Sequence, residues 1–579
     1  MKRRSMDYFT VRMFIRQLIP IMISAVALAF GDMADAIVVG NRMGVTGLAA
    51  ISISLPVFMV INIIMHGLGS GGSIRYAKLQ AKGEKEKAAA GFQGVILTAV
   101  FFGIALAVLG NLFLAPILEM LGAAPDDKEL FQASRTYIQI IISGTPLFFI
   151  SYILNYYLRS DDQEKLAGFG FTAGNLTDIS LNIILVLGMR MGVKGAAWAT
   201  LAGLIVSVSI YLWGMYRNKS CLVMLPLRPS AEGLGECIRV GLSTSSQYFF
   251  SMIFILTANR MLMRLGGSAP VAVFEMIQST SFLLLYLYDG VAKAAQPLVS
   301  NYSGERNQEG CRKTLETGLI WGTVIGGLAA ALVMAFPDAV CMLLGIRSGE
   351  ALRLGRHALR IYAPSAVIAG ISMILESYFQ ASSQEKSAFT IAFLRGAAVL
   401  IPLTVLFSFT GTEYFWFVFP LTELISLIAA LLIRKCFLTQ GINADEGRVY
   451  TKTIRSKDED MQQLLKEAGD FCGKWESTIK QQFFINLAIE ELCMAILTWG
   501  FGKNEGYIQI TLIAEQDGSF ELHIRDDAVS FNPFSMDSGK AGSEEDFNAD
   551  ALGIMVIKEK ARDFSYRRYQ GFNTLVVRI

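Results

Sequence analysis

Long apolar stretches separated by short charged segments recur along the first three quarters of the chain. Stretches such as Val95–Ile117 and Leu319–Phe336 hold about 18 or more residues dominated by apolar side chains, enough for a helix to cross a bilayer. Twelve of them begin near Phe14, Ile51, Gly94, Tyr137, Ala167, Gly195, Leu242, Ala272, Gly318, Ala358, Thr390 and Tyr414. The pattern predicts an all-α polytopic membrane region of twelve spans.

The pattern changes after Arg434-Lys435, where the long apolar stretches end. Alternating apolar and polar positions then predict strands, and apolar residues three or four apart predict amphipathic helices. Ser456-Lys-Asp-Glu459 is typical of a capping box that opens a helix, and Asp517-Gly518 of a hairpin turn. The predicted strands are 450–454, 507–514, 520–525, 564–569 and 573–579, and further helices are 478–499 and 552–561. We therefore expect a C-terminal α/β sandwich.

Composition supports this division of the 579 residues. Hydrophobic residues are 53% of the chain, above the norm for soluble proteins. Residues 450–579 hold 15 Lys and Arg against 21 Asp and Glu, a net charge of −6, so the remainder carries +8. Basic loops facing anionic lipid explain that division, and it is not a nucleic-acid signature.

The basic residues also predict an orientation. Five basic segments fall on one side of a twelve-span protein, and that side is expected to be the cytoplasm: 1–4, 75–87, 217–219, 306–313 and 434–435. The protein is then expected to lie in the inner (plasma) membrane with both termini in the cytoplasm. One loop on the opposite side carries Arg347, Arg353, Arg356 and Arg360, against the rule.

Cysteine and histidine spacings exclude several kinds of site. The seven cysteines form no CxxC pair, so neither a disulfide framework nor a zinc site is predicted. His66, His357 and His523 have no metal-ligand spacing, and none lies on a helix just before the C-terminal domain. A sensor histidine kinase, which needs a phosphoacceptor histidine there, is therefore disfavoured.

The membrane region contains an internal duplication. The segment Tyr156–Lys165 resembles Tyr378–Lys386, and their shared Gln-Glu-Lys is offset by 221 residues; Met120-Leu-Gly122 recurs as Leu343-Leu-Gly345. We predict two six-helix bundles, residues 1–220 and 221–436, then a linker, 437–449, and the C-terminal domain, 450–579. Parallel repeats of this kind are typical of alternating-access transporters, which bind their substrate between the bundles.

Several motifs in the first 436 residues resemble those of MATE (multidrug and toxic compound extrusion) transporters. They are Pro20, Asp35-Ala-Ile-Val-Val-Gly-Asn-Arg-Met-Gly44, Met191-Gly-Val-Lys-Gly-Ala-Ala-Trp-Ala-Thr200 and Gln296-Pro-Leu-Val-Ser300. The resemblance covers about residues 10–436. It implies a secondary transporter, not an enzyme, that exports small organic compounds against H⁺ or Na⁺ and in which Asp35 couples cation influx to substrate efflux.

Ionisable groups inside spans are expensive and point to function. Asp35 lies near the end of the first apolar stretch, and its carboxylate could hold a proton or Na⁺; a helix-capping role is the alternative. Asp32 shares its helix face and is interpreted as facing the outer water. Asp178 and Asn182 stack on one face of the fifth span. They are candidates for ion coupling or substrate contact, with an interhelical hydrogen bond as the alternative.

The second half offers further candidates. Glu275 and Glu376 could relay protons or contact a cationic substrate, whereas Lys293 and Asp289, four residues apart, predict an ion pair. Arg395 and Glu423 also lie in or near spans.

The C-terminal domain resembles the GHKL ATPase fold, in its anti-sigma-factor-kinase branch, over about residues 450–579. The matching boxes are Leu487–Ala495, Asp526–Pro533 and Ala551-Leu-Gly553. The resemblance implies a catalytic Glu491 if ATP is turned over, and nucleotide contacts from Asp526 and Gly553. Each box departs from the family pattern: Ala495 replaces the Asn that holds Mg²⁺, and Ala528 and Ala551 replace glycines. Alanine has no oxygen for a hard cation, so ATP and Mg²⁺ chemistry is expected to be weak.

We therefore expect a cation-coupled exporter with a regulatory GHKL-like tail that contacts a cytoplasmic protein partner and no nucleic acid. Two alternatives are a membrane-bound signalling protein whose tail binds or phosphorylates a partner, and a flippase for lipid-linked precursors.

Overall fold

The apolar stretches form long helices packed side by side in the computed structural model. It describes residues 2–81, 85–123, 127–161, 163–217, 233–382, 384–441, 448–455, 461–502, 505–535, 549–569 and 572–579. The capping box predicted at 456–459 and the Asp32 side chain lie outside the described part.

The described part of the first bundle contains seven helices. They are α1 (Lys2–Ala81), α2 (Lys85–Leu112), α3 (Leu114–Leu121), α4 (Lys128–Ser143), α5 (Thr145–Ser160), α6 (Glu164–Asn182) and α7 (Val193–Arg217). Helix α1 contains the first two predicted spans, which meet at a bend where Gly44 has φ 62° and ψ −137°. Glycine adopts such positive φ values without a steric penalty, so the helix can change direction at this residue.

Within residues 233–382 and 384–441, the second bundle contains eight helices. They are α8 (Leu234–Gly266), α9 (Ser268–Gly304), α10 (Gln308–Ala335), α11 (Pro337–Leu343), α12 (Gly349–Ala381), α13 (Glu385–Phe393), α14 (Leu400–Phe407) and α15 (Val418–Gly441). Wider π-helical turns continue α6 over Ile183–Gly188 and join α13 to α14 over Leu394–Ala398.

The predicted twelve spans are confirmed. Eleven helices in the described ranges are long and apolar enough to cross a membrane, and α4 with α5, bent by 53°, makes one more. One of the eleven, Ile479–Phe501, belongs to the C-terminal domain, and α1 supplies two spans instead of one. The result is six spans before the α7–α8 connection and six after it.

The duplication predicted from short motifs is visible as repeated backbone geometry. Gly122 and Gly345 both have positive φ, 101° and 83°, at the end of a short helix. The next amide bonds back five residues in both, Ala123 to Leu118 at 3.0 Å and Ile346 to Cys341 at 2.8 Å. This is the Schellman arrangement, in which glycine closes a helix end.

The two bundles meet along α1, α8 and α9. The backbones of Gly67 in α1 and Gly241 in α8 approach so closely that a Cβ on Gly241 would lie 1.9 Å from the Gly67 carbonyl oxygen. Deeper in this contact, Asn259 Nδ2 donates to the Ser52 carbonyl at 2.7 Å and Ser52 Oγ donates to Asn259 Oδ1 at 3.0 Å. Small residues at such a crossing let two membrane helices touch through their backbones.

The arginines that opposed the charge rule lie at the start of α12 and its preceding turn. Arg356 Nε lies 2.7 Å from Asp338 Oδ1, and Arg347 Nη2 donates to Asn41 Oδ1 at 3.0 Å. Arg353 faces Glu413 at 3.9 Å. Local ion pairing and a contact with α1 therefore account for three of the four arginines.

The C-terminal domain is a five-stranded antiparallel sheet with helices on one face. The strands are β1 (Val449–Arg455), β2 (Tyr507–Ala514), β3 (Phe520–Asp526), β4 (Asp563–Tyr569) and β5 (Phe572–Arg578), in the order β1-β2-β3-β5-β4. The helices are α16 (Met461–Lys474), α17 (Ile479–Ala495, followed by a π-helical turn) and α18 (Ala549–Lys560). The predicted sandwich is confirmed, with strand bounds within a residue of prediction. A capping box between Thr478 and Gln481 opens α17.

Candidate ion and substrate site

Asp35 sits on the part of α1 that faces α6, and a single amide links it to a second carboxylate. Asn182 Nδ2 donates to Asp35 Oδ1 at 2.5 Å and to Asp178 Oδ1 at 3.0 Å. Asn182 is fully buried, and its Oδ1 has no hydrogen-bond partner within the described chain. Two acids that were predicted separately from the first and fifth spans therefore form one cluster.

The local backbone around this cluster is irregular. The π-helical turn Ile183–Gly188 begins directly after Asn182, and such turns are frequent at functional sites because they displace side chains from regular helical positions. On the other side, Thr200 Oγ1 of α7 lies 3.5 Å from Asp178 Oδ1. The wholly buried Tyr137 of α4 adds a hydroxyl within hydrogen-bonding reach of Asp35.

The cluster lines a cavity of about 310 Å³. A third carboxylate, Glu275 of α9, reaches the same cavity from the second bundle and is only 3% exposed. Ser279 Oγ lies 3.4 Å from Glu275 Oε1, and Glu275 Oε2 has no hydrogen-bond partner in the described ranges. No Lys or Arg is found among the described residues that line the cavity, so three acids share it without a fixed counter-charge.

The rest of the cavity wall is mixed. Aromatic rings and neutral polar groups alternate along it: Phe58, Phe148, Phe171, Phe282, Tyr152, Tyr211, Asn62, Asn155, Asn175 and Ser207. A volume of this size is at the lower end of the range for pockets that bury drug-sized ligands. The wall can therefore surround an amphipathic organic molecule while the acids hold a cation.

The buried charges of the second bundle are arranged differently. Arg395, in the π-helical turn after α13, donates to Glu423 of α15 at 2.8 and 3.3 Å and lies 3.6 Å from Glu376 of α12. Glu376 does not line the cavity in the described structure. The predicted ion pair of Lys293 with Asp289 is confirmed at 2.5 Å.

Sequence reasoning missed Tyr137, Thr200 and Asn259 as polar partners inside the membrane region. Thr200 ends a quoted motif, so its place in that motif was an available signal. Tyr137 begins the fourth apolar stretch, where a tyrosine is also expected as an interfacial anchor, and nothing in the sequence relates it to Asp35.

In the C-terminal domain the structure brings two of the three nucleotide-box residues together. A Cβ on Gly553 of α18 would lie 2.2 Å from the Glu491 carboxyl carbon of α17, so this glycine lets the helix pack directly on the glutamate. Asp526 lies at the end of β3. Its Oδ1 accepts hydrogen bonds from the Ala528 amide at 2.9 Å and Asn573 Nδ2 at 2.7 Å.

Asp526 is completely buried, and burial raises the pKa of its carboxyl to about 6. Its Oδ2 has no hydrogen-bond partner in the described chain, which suits an exocyclic amino group of a base. At position 495, however, the side chain is a buried methyl group with no oxygen for Mg²⁺. The residues present thus fit base recognition but not a magnesium-bound triphosphate.

Comparisons with known proteins match the two regions separately. The model of the MatE family matches residues 20–184 and 240–406, one segment in each bundle. The model of the histidine kinase-like ATPase domain matches residues 454–579, which is the sheet domain. The C-terminal likeness to GHKL ATPases predicted from the sequence is thereby confirmed.

Individual proteins agree with the family match. YoeA of Bacillus subtilis (strain 168), a probable multidrug resistance protein, is 24% identical over 424 residues, 71% of this chain and 90% of YoeA. An inward-facing structure of a multidrug resistance MATE family transporter of the MOP superfamily has a TM-score of 0.65 at 21% identity, covering 73% of this chain and 99% of its own. An outward-facing structure has a TM-score of 0.56 at 22% identity, covering 75% and 97%.

Proposed function

The chain belongs to the MatE family, and we propose that it is a cation-coupled antiporter that exports organic, cationic or amphipathic compounds by alternating access. One observation carries the proposal: Asp35, Asp178 and Glu275 share one cavity whose described wall contains no Lys or Arg. Three acids without a fixed counter-charge attract cations of either kind, inorganic or organic.

The geometry supports competition between the coupling ion and the substrate. A proton or Na⁺ bound at Asp35 or Asp178 removes part of the negative charge that holds a cationic substrate. Because the Asn182 amide donates to both carboxylates, binding of a cation at one carboxylate alters the hydrogen bonding of the other. Substrate and ion therefore favour different charge states of the same cluster.

The architecture supports alternation between two faces. The bundles repeat one another and meet along α1, α8 and α9, where Gly67 and Gly241 bring two helix backbones into direct contact. Glu275 and Asp35 come from different bundles and line one cavity, so relative movement of the bundles changes the distance between the acids. This is the arrangement expected when one site serves both sides of the membrane.

The sheet domain has a regulatory role in this proposal. Position 495 offers no magnesium ligand, so the energy for export comes from the ion gradient. Glu491 is catalytic only if the tail turns over ATP, which the alanine at 495 disfavours.

The test is gradient-driven efflux of a fluorescent organic cation from vesicles that contain the purified full chain. We expect efflux that requires an imposed proton or sodium gradient, and a chain ended at residue 441 is expected to retain it. Absence of gradient-dependent flux of the full chain across a broad substrate panel would overturn the exporter assignment. Loss of flux in the shortened chain alone would mean that transport itself requires the sheet domain.

A further inference from the structure

The sheet domain has a second covered face. In an isolated sheet with helices on one side, the strands alternate between buried and solvated residues. Here every residue of β2 is buried, including polar Gln509 and Thr511, each 1% exposed. The partners that cover them come from the transporter half of the same chain.

The first part of this cover is the α9–α10 turn, taken here as the last residues of α9 from Tyr302 and the connection 305–307 that leads to α10. Glu305 forms a buried ion pair with Arg525 of β3, and Tyr302 donates to Gln509 Oε1 at 3.1 Å. Asn307 Nδ2 donates to Thr451 Oγ1 of β1 at 3.2 Å. These contacts take both charged and neutral polar groups out of water, which requires the close complementarity seen here.

The same turn is held in an unusual backbone conformation. Arg306 has φ 52°, a left-handed value that is uncommon for a residue with a side chain. Its Nη2 lies 3.0 Å from Glu515 Oε2, beyond the end of β2. The turn thus presents three consecutive side chains, Glu305, Arg306 and Asn307, to the sheet domain.

The second part of the cover is the start of α1. Phe9 packs against Tyr507 and Phe572, with ring centroids 6.0 and 6.1 Å apart. Arg12 Nη1 lies 3.1 Å from Asp527 Oδ2, and the Asp527 side chain is 1% exposed. The start of α1 belongs to the first bundle in sequence, whereas the α9–α10 turn belongs to the second.

These two elements also touch each other. Thr10 Oγ1 lies 3.1 Å from the Tyr302 hydroxyl, and both are fully buried. We propose that the polar face of the sheet domain is a docking surface for the transporter half of the same chain, and that it clamps the start of α1 to the α9–α10 turn. A domain that binds both elements only when they are together favours that arrangement of the bundles.

The clamp lies next to the candidate nucleotide site. At the end of β3, Asp526 faces that site and Asp527 pairs with Arg12. At the start of β5, Asn573 donates to Asp526 and Phe572 packs on Phe9. Neighbouring residues on two strands thus belong to the site and to the docking surface. A ligand that binds at Asp526 can therefore alter the clamp through directly adjacent residues.

Docking is tested by disulfide formation in the full chain. With cysteines at Asn307 and Thr451, and a protease site placed in the 442–447 connection, oxidation is expected to keep the tail attached after cleavage. The control pair, Asn307 with Lys560 on the opposite side of the sheet, is expected to release it. Release in both, or retention in both, would overturn the docking proposal.

The buried ion pair gives a charge-reversal test. Glu305→Arg and Arg525→Glu are each expected to lower the yield of the Asn307–Thr451 disulfide at least fivefold, and their combination to restore it. Restoration also shows that the domain still folds. If both single variants crosslink as well as the unchanged pair, the docking surface is wrong.

The clamp itself is tested by the spacing of the bundles. Spin labels at the exposed positions Ile19 of α1 and Arg312 of α10 report that spacing without entering the interface. We expect one distance in the unchanged chain, a second population in Arg525→Glu, and one distance again in the charge swap. An unchanged distribution in Arg525→Glu would show docking without clamping. The regulatory role of the clamp rests on the proposed function. The crosslinking and distance measurements need no ion gradient and no substrate, so their failure is distinguishable from failure of the proposed function.

Discussion

The two bundles share a fold but treat their buried charges in opposite ways. In the first, Asp35 and Asp178 are joined by the neutral amide of Asn182 and open onto a cavity. In the second, Arg395 sits between Glu376 and Glu423, so one guanidinium lies beside both acids. In both, a π-helical turn lies beside the charges, after Asn182 and around Arg395.

The difference shows how a duplicated scaffold acquires one functional site. Backbone geometry is retained in both copies, as the closing glycines Gly122 and Gly345 show. Charge balance is not retained. A cluster with an excess of acid attracts mobile cations, whereas one with a built-in guanidinium satisfies its acids internally. We infer that the first cluster works in transport and the second in structure.

The largest expected effect is a loss of stability when the second cluster loses its cation. Arg395→Ala leaves two acids inside the bundle without their cation, and we expect a loss of about 3–5 kcal/mol in unfolding free energy. Thermal unfolding of the purified full chain measures it. Arg312→Ala is the control, because its pair with Glu316 is exposed and contributes little to stability.

A neutral version of the cluster sharpens this result. Arg395→Met combined with Glu376→Gln and Glu423→Gln removes all three charges and should recover most of the stability. If that stable variant no longer exports under a gradient, the second cluster takes part in coupling and the contrast between the bundles fails.

The next effect concerns the first cluster. Asp35→Asn keeps the shape of the side chain but cannot hold a coupling cation, so gradient-driven efflux should fall about 100-fold, equivalent to about 3 kcal/mol. Asp289→Asn is the matched control, since Asp289 pairs with the half-exposed Lys293 on the same helix. Efflux by Asp35→Asn within a factor of two of that control would remove Asp35 from the mechanism.

A buried acid also occurs outside the membrane-spanning segments, at Asp526, whose Oδ2 has no hydrogen-bond partner in the described chain. Its folded pKa of about 6 lies above its ordinary value of 3.8. The folded domain therefore holds this proton more tightly than the unfolded chain does, and stability declines as the pH rises from about 4 to about 6. The full shift corresponds to about 3 kcal/mol.

Asp526→Asn should remove this pH dependence and stabilise the domain at pH 7.5. We expect about 2 kcal/mol, since the new amide group is itself a buried donor without a partner. Amide hydrogen exchange of β3 in the full chain measures the gain, with exposed Glu559→Gln as control. Slower exchange at pH 4 as well as pH 7.5 would mean that the effect does not come from ionisation.

The smallest expected effect is at Glu275, which faces the cavity from the second bundle. Glu275→Gln removes one of three charges, so the half-saturating concentration of a cationic substrate should rise about tenfold, or about 1.4 kcal/mol. A neutral analogue of the same size is the control and should be unaffected. Equal weakening for both compounds would mean that Glu275 maintains cavity shape and not charge.

Much of the architecture could be predicted because it depends on local pattern. The twelve spans follow from the length and polarity of each stretch, and the strands from alternation over a few residues. The bend at Gly44 was not predicted, since many glycines in the chain keep ordinary helical angles. The helix Ile479–Phe501 shows the limit of such reasoning, because it is apolar enough for a membrane yet packs against a sheet.

The candidate site was only partly predictable. A carboxylate within an apolar stretch is conspicuous, so Asp35, Asp178 and Glu275 stood out individually. Glu376 stood out for the same reason, but the sequence could not show that Arg395, close in space, lies beside it. Separation along the sequence does not show which acid and base are close in space. The sequence therefore could not show which buried acids are neutralised by a base.

The sequence by itself determined which segments enter the membrane, that the membrane half is duplicated, and that a degenerate ATPase-like domain follows, because these depend on composition and short motifs. Tertiary structure decided which acids share a cavity and which are neutralised. It also decided that the polar face of the sheet meets the start of α1 and the α9–α10 turn, more than 290 residues apart at Thr10 and Tyr302. Electrostatic energy depends on distance in space, and only the folded chain fixes that distance.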